Sequence, residues 1–234
     1  MAQYGKICAF RVECGPSPGD EIGNHARLKI ACRKAWEFKS PPGHNRMPQN
    51  KAVLAYIIGV SLGDGNLSNP NGRAVRLRIS CDKKYPNLIF HIQENLQKIF
   101  PKNKVSLVNR EKYNVVDVSC YSNNLEELLG WKVGSKVSQS VSIPKWILKS
   151  EKYSRECLRG LLQTDGSIYK DRGYVMVNFT TIIKPLSENV MNILDLLGYK
   201  PQIRKVPFKG KFAYIVRVSK NTSDLITDID LWKN

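Results

Sequence analysis

The chain is short of histidine and of acids. Three histidines stand among 234 residues, and 20 Asp and Glu face 37 Lys and Arg, a net charge of +17. His25, His44 and His91 form no metal or triad constellation. There is no GxxxxGK[ST] and no GxGxxG, so neither ATP nor a nicotinamide cofactor is indicated. No apolar run approaches the ~20 residues that span a bilayer, so no membrane partner is expected. The six cysteines, at 8, 14, 32, 81, 120 and 157, include no CxxC, and no signal peptide precedes them. They read as reduced thiols of an intracellular, cytosol-like compartment. Cys8, Cys14, Cys32, His25 and His44 crowd the first stretch, but their spacing matches no usual zinc pattern.

What is present is base. Lys and Arg outnumber acids 8 to 4 over residues 1–50, 15 to 7 over 51–150 and 14 to 9 over 151–234. The excess belongs to the body of the chain and not to a tail, and such a surface points to a polyanion, most often nucleic acid. On charge alone a ribosome-associated or merely basic protein also fits.

One stretch occurs twice. Leu54-Ala55-Tyr56-Ile57-Ile58-Gly59-Val60-Ser61-Leu62-Gly63-Asp64-Gly65 is echoed by Cys157-Leu158-Arg159-Gly160-Leu161-Leu162-Gln163-Thr164-Asp165-Gly166. Each is a mostly apolar helical run ending in Asp-Gly. Gly59 and Gly63 share one helix face, as do Gly160 and Thr164. Small residues on a shared face let two backbones approach, so the two helices are expected to be buried and to pack together. Each Asp then falls at a helix C-terminus, where the macrodipole disfavours negative charge. A divalent cation such as Mg²⁺, which takes carboxylate oxygens and keeps several waters, would compensate. Each Asp alone suits equally well a metal-free cap on the glycine turn that follows; the pair favours the cation.

The flanking order also repeats. Ala74–Ser80 alternates Val75, Leu77 and Ile79 against Arg76, Arg78 and Ser80, a half-buried strand with a basic outer face. Tyr174–Thr180 alternates likewise. Pro86 and Pro185 each open a helix at a tolerated position, 22 and 20 residues after their Asp. Further strands are read over Val105–Arg110, Tyr113–Ser119, Gln202–Val206 and Phe212–Ser219. Tight turns are read at Glu111-Lys112 and Lys209-Gly210-Lys211, and short helices at Asn123–Leu129 and Thr222–Leu231. Gly65 to Gly72 reads as a turn. The pattern is two αββαββα copies: an irregular extension over residues 1–50, with one short helix near Ala26–Phe38, then a repeat over 51–130, a linker over 131–152 and a repeat over 153–234.

The doubled motif resembles the LAGLIDADG motif of homing endonucleases in their single-chain, two-copy form. The resemblance covers roughly residues 50–234. It implies an α+β fold of two pseudo-symmetric repeats, with saddle-shaped antiparallel sheets set against double-stranded DNA and paired motif helices at the centre. It implies a monomeric, metal-dependent endodeoxyribonuclease of a mobile element, making a double-strand break with short 3′ overhangs. Asp64 and Asp165 would hold Mg²⁺, Mn²⁺ or Ca²⁺ with the carbonyls of Gly63 and Thr164, one Asp serving each strand. Lys136, ahead of Ile143-Pro144-Lys145-Trp146, matches the family's active-site lysine, and Lys233 is the nearest equivalent in the second repeat. Cys81 and Thr181 fall at the polar positions ending the strand after each motif, where Cys81 departs from the family's usual Gln or Lys. DNA contacts are expected from Arg73, Arg76, Arg78, Arg110 and Lys112, and from Lys170, Arg172, Arg204, Lys209, Lys211 and Arg217. An RNA-splicing maturase, or a DNA-binding protein that no longer cuts, are alternatives on the same scaffold.

Overall fold

A computed structural model of the chain describes residues 50–233. The extension over 1–50, its helix near Ala26–Phe38 and the cysteine and histidine cluster therefore lie outside the described residues, apart from Asn50. Asn50 accepts a hydrogen bond on its side-chain oxygen from the Val53 amide at 3.2 Å and caps α1, Lys51–Asp64. The cap and an uninterrupted apolar run explain why the helix begins and persists here. It is buried from Leu54 to Leu62. Its counterpart α5, Glu151–Thr164, is buried at Ser154, Cys157, Leu158 and Gly160 to Gln163. From Cys157 to Gln163 only Arg159 escapes full burial, and Arg155 lies before that run. The expected buried run is therefore found in both helices, although the first turns of α5 are more polar than those of α1.

The two helices meet backbone to backbone. A Cβ on Gly59 would stand 2.1 Å from the Cys157 carbonyl oxygen, and one on Gly160 would stand 2.5 Å from that of Tyr56. No larger residue fits at either point, which is why the small residues recur on one face.

Each motif feeds a four-stranded antiparallel sheet. In the first, β1 (Gly65–Ser68), β2 (Arg76–Asp82), β3 (Val105–Arg110) and β4 (Val115–Tyr121) take the order β1-β2-β4-β3. In the second, β5 (Gly166–Asp171), β6 (Tyr174–Thr181), β7 (Gln202–Phe208) and β8 (Lys211–Val218) take β5-β6-β8-β7. The identical order makes the two halves repeats. Helices α2 (Pro86–Ile99) and α6 (Lys184–Leu196), each with proline in its first turn, join β2 to β3 and β6 to β7, strands that are not neighbours in their sheets. The short α3 (Leu125–Leu129) and α7 (Thr222–Asp228) close the repeats.

Several boundaries differ from the sequence expectation. The segment after the first Asp-Gly is not all turn: Gly65–Ser68 pairs with β2, Leu67 opposite Leu77. Its one inward apolar residue is too little alternation to mark a strand. Its counterpart, Gly166–Asp171, is also a strand. The β3–β4 turn takes four residues, Glu111 to Asn114, which delays β4 to Val115. The last helix stops at Asp228, where Asp230 adopts φ +49° and the Leu231 amide returns to the Ile226 carbonyl at 2.8 Å. Within 131–152, Trp131, Val141, Ile143 and Ile147 join the core and Lys145–Leu148 forms a short helix, α4. This connection is packed structure, not a loose tether.

Candidate active site and nucleic-acid interface

Packing of α1 on α5 brings the two Asp-Gly ends together. The Asp165 Oδ2 atom lies 3.4 Å from where a Cβ would stand on Gly63, the neighbour of Asp64. Both aspartates reach solvent, yet the walls around them withdraw much of their hydration. Burial, and then the Asp64 charge, push the Asp165 carboxyl up to about 6, with Lys136 and Lys233 pulling the other way. Burial also raises the Asp64 carboxyl against the same two lysines. Two carboxylates that oppose each other's ionisation are poised to gain from a cation.

The lysines occupy corresponding places. Lys136 Nζ donates to the carbonyls of Ser61 at 3.2 Å, Leu62 at 2.7 Å and Gly63. It thereby covers the carbonyl end of α1, where a cation is favoured. Burial lowers the pKa of its ammonium, while Asp165 and Asp64 oppose that shift. Lys233 Nζ donates to the carbonyls of Thr164 at 3.2 Å and Gly166 at 3.4 Å, and sits 5.4 Å from the centre of the Tyr85 ring. The carbonyls of Gly63 and Thr164 thus already accept from ammonium groups. A metal would share those oxygens or displace the lysines.

The donor set fits a hard cation. It consists of oxygens only, and among the described residues no three His, Cys, Asp or Glu gather into a closed cage. An ion that keeps several waters suits two carboxylates at an open mouth. A cleft of about 350 Å³ beside Asp165 is lined by Gly63, Lys136, Thr180, Thr181, Phe208 and Ala213.

The two periphery residues part company. Thr181 lines this cleft, its hydroxyl accepting from the Ile183 amide at 3.2 Å. Cys81 is buried opposite Val116 on the core side of its sheet. Burial, then Asp64 and Asp117, push its thiol up to about 12. A protonated thiol positions water poorly, so the departure at this position is also a chemical one.

The basic candidates divide by register. Arg76 and Arg78 project from the open face of the first sheet, opposite Tyr121 and Ser119, and Arg76 donates to the Ser68 hydroxyl at 3.3 Å. Arg110 lies on the same face but is bound to Asp117, 2.6 Å away, whose other oxygen accepts from Ser80 at 2.7 Å. Arg73 and Lys112 stand in loops. In the second sheet Arg204, Lys211 and Arg217 share the open face, while Arg172 and Lys209 occupy the hairpin turns with positive φ. Arg217 is held by the Tyr169 hydroxyl at 2.6 Å and by Asn178 Oδ1 at 3.3 Å. Lys170 pairs with Val175, which places it on the other face with the inward-pointing valines. Counting outward residues from β6 alone did not reveal the parity of β5. Asp117, Tyr169 and Asn178 carry no mark in the sequence, since which strands lie side by side is not written in it.

A model of the LAGLIDADG-like domain matches residues 152–228. The homing endonuclease I-DmoI, solved in complex with DNA and Mn, superposes with a TM-score of 0.59 at 20% identity, over 76% of this chain and 96% of that one. The full-length DUF199/WhiA protein from Thermatoga maritima gives 0.54 at 12% identity, over 78% and 56%. By sequence, the tRNA-splicing ligase RtcB of Methanocaldococcus jannaschii is 28% identical over 170 residues, which is 63% of this chain and 17% of that protein. RtcB of Pyrococcus furiosus is 28% identical over 196 residues, or 69% and 19%. The chain thus spans under a fifth of the length of these curated relatives. The second repeat is thus similar to the LAGLIDADG-like domain, and the chain as a whole has the two-repeat fold seen in the I-DmoI structures.

Proposed function

We propose that the chain is a site-specific DNA endonuclease of the homing type, making a metal-dependent double-strand break with short 3′ overhangs in a long target. One chain supplies both repeats, so it acts as a monomer, within a reducing intracellular compartment. The observation that carries this reading is the meeting of Asp64 and Asp165 at the ends of two backbone-packed helices, each end held by a lysine. Both carboxylates are retained, which favours cutting over a role in splicing or binding alone. The I-DmoI structures with DNA and Mn or Ca support a divalent cation here.

Asp64 and Asp165, with the carbonyls of Gly63 and Thr164, would hold Mg²⁺ or a similar ion. Such an ion activates water and neutralises charge on a phosphodiester. Lys136 and Lys233 keep the helix ends in place and stand ready to offset charge developing on the phosphate. The arginines of the open sheet faces bind the duplex: Arg217, already oriented by Tyr169 and Asn178, is the best prepared to read a guanine edge, and Arg76 and Arg78 serve the first half. Thr181 orders water in the cleft by Asp165.

Selection of cleaved sites from a randomised DNA pool with Mg²⁺ tests this reading. Recovery of one long consensus is expected. A pool left uncut across a range of salt and metal conditions contradicts it.

A further inference from the structure

Gln163 is a polar residue in a buried run. It occupies the motif position that Leu62 takes in the first copy, one before Gly63 and Thr164. It is 1% exposed, and a buried amide requires partners. Its oxygen accepts from the Tyr56 hydroxyl of α1 at 2.8 Å. Its nitrogen donates to the main-chain carbonyl of Trp232 at 3.0 Å. Trp232 immediately precedes Lys233, and its ring stands edge-on to His91 at 5.3 Å. Between α7 and Lys233 no regular element fixes the chain.

Lys136 is held differently. Its loop is closed by Gln139, which accepts from the Lys132 amide and donates to the Lys132 carbonyl, both at 2.9 Å. The Val141 amide donates back to the Lys136 carbonyl at 3.2 Å. The first lysine is therefore fixed by its own loop and the second from the motif helix beside it.

We infer that Gln163 is a positioning residue for Lys233: beyond the Arg159–Asp230 pair it ties Trp232 to α5, so that the ammonium of the next residue reaches the carbonyls of Thr164 and Gly166 next to Asp165. This deepens the nuclease reading and rests on it. The amide sets where Lys233 stands, and so governs the half of the reaction that Lys233 serves. Misplacing a group by an ångström from outside the chemistry can cost ~100-fold, so a strand-selective defect is expected and not a general one.

The experiment uses the full chain and a supercoiled plasmid carrying a selected target, with the two strands labelled separately. Gln163→Met keeps the volume and removes both hydrogen bonds. It is expected to slow one strand by ~10–100-fold, the same strand that Lys233→Met slows, and to accumulate nicked circles. The double variant should be no slower than Lys233→Met alone. Tyr56→Phe breaks only the helix–helix half of the network; it should lower the melting temperature yet leave both strand rates within about twofold. Gln163→Met slowing both strands equally, slowing neither, or adding its effect to that of Lys233→Met overturns the inference. Amide hydrogen exchange over 230–233 is read in parallel. Faster exchange in Gln163→Met is expected, and unchanged protection overturns the tie even if no DNA is cut. Failure of the wild type to cut strikes the nuclease reading instead.

Discussion

Helix α1 is buried all round from Leu54 to Leu62, whereas α5 carries Arg155 and Arg159 in ion pairs with Glu151, Glu156, Asp228 and Asp230. The two helices nevertheless end alike, in an aspartate beside a lysine-covered carbonyl terminus. The shared seam asks only for small residues where the backbones touch, and leaves the outer face of each helix free to vary. α1 meets the core on its remaining sides, while α5 turns part of its surface to solvent and to the segment after α7. One backbone geometry thus tolerates two very different sequences, and the difference reappears in how Lys136 and Lys233 are held.

The seam between α1 and α5 has the least room for change. Gly59→Ala puts a methyl against the Cys157 main chain, which cannot move aside, so a loss of about 3 kcal/mol is expected. Gly160→Ala, facing the Tyr56 carbonyl and Val60 amide, should cost nearly as much. Gly63→Ala meets chiefly the Thr164 side chain and should cost least of the three. Chemical denaturation of the three variants checks the ranking; an indifferent Gly59→Ala would mean that the helices do not touch.

The two sheets offer the next contrast. Arg110 is committed to Asp117, which is buried, whereas Arg217 is braced by neutral groups. Arg110→Ala should therefore cost about 2 kcal/mol of stability, below the range for a fully buried pair because the arginine is partly exposed. Arg217→Ala should leave the melting temperature nearly unchanged, while weakening target binding about tenfold and reducing its salt dependence. Binding isotherms at several salt concentrations, set beside thermal melts, separate the two; the opposite assignment of effects would reverse the roles.

A smaller effect comes from Asp165. Its folded carboxyl titrates near 6 against 3.8 ordinarily, so ionising it opposes folding. Its contribution to stability is full below pH 3.8 and is lost as the pH rises through about 6. Asp165→Asn should then raise the melting temperature of the metal-free protein by a few degrees at pH 7.5, a gain that disappears near pH 4. Added Mg²⁺ should stabilise the wild type and not this variant. A variant no more stable than wild type at pH 7.5 would mean that the carboxylates are not mutually opposed.

The doubled motif, its small-residue face and its terminal aspartates were legible because each is a local pattern with a fixed helical period. The alternation of β2 and β6 was equally local. What escaped depends on neighbours distant in sequence. Gly65–Ser68 becomes a strand because β2 is there to pair with it. Lys170 faces away because its parity is set by the register of β5 on β6. Arg110 is engaged because β4 delivers Asp117 to it. Gln163 did carry a signal, a polar side chain inside a buried run, but its partner Trp232 lies 69 residues away.

Double-strand cleavage by the Asp64→Asn and Asp165→Asn proteins decides whether these carboxylates act on DNA. With a selected site on a supercoiled plasmid and Mg²⁺, each variant is expected to bind the target within about twofold of wild type, yet to lose linear product by ~100-fold or more. Linear product from either variant at the wild-type rate would contradict the claim that the two converging aspartates form the active site.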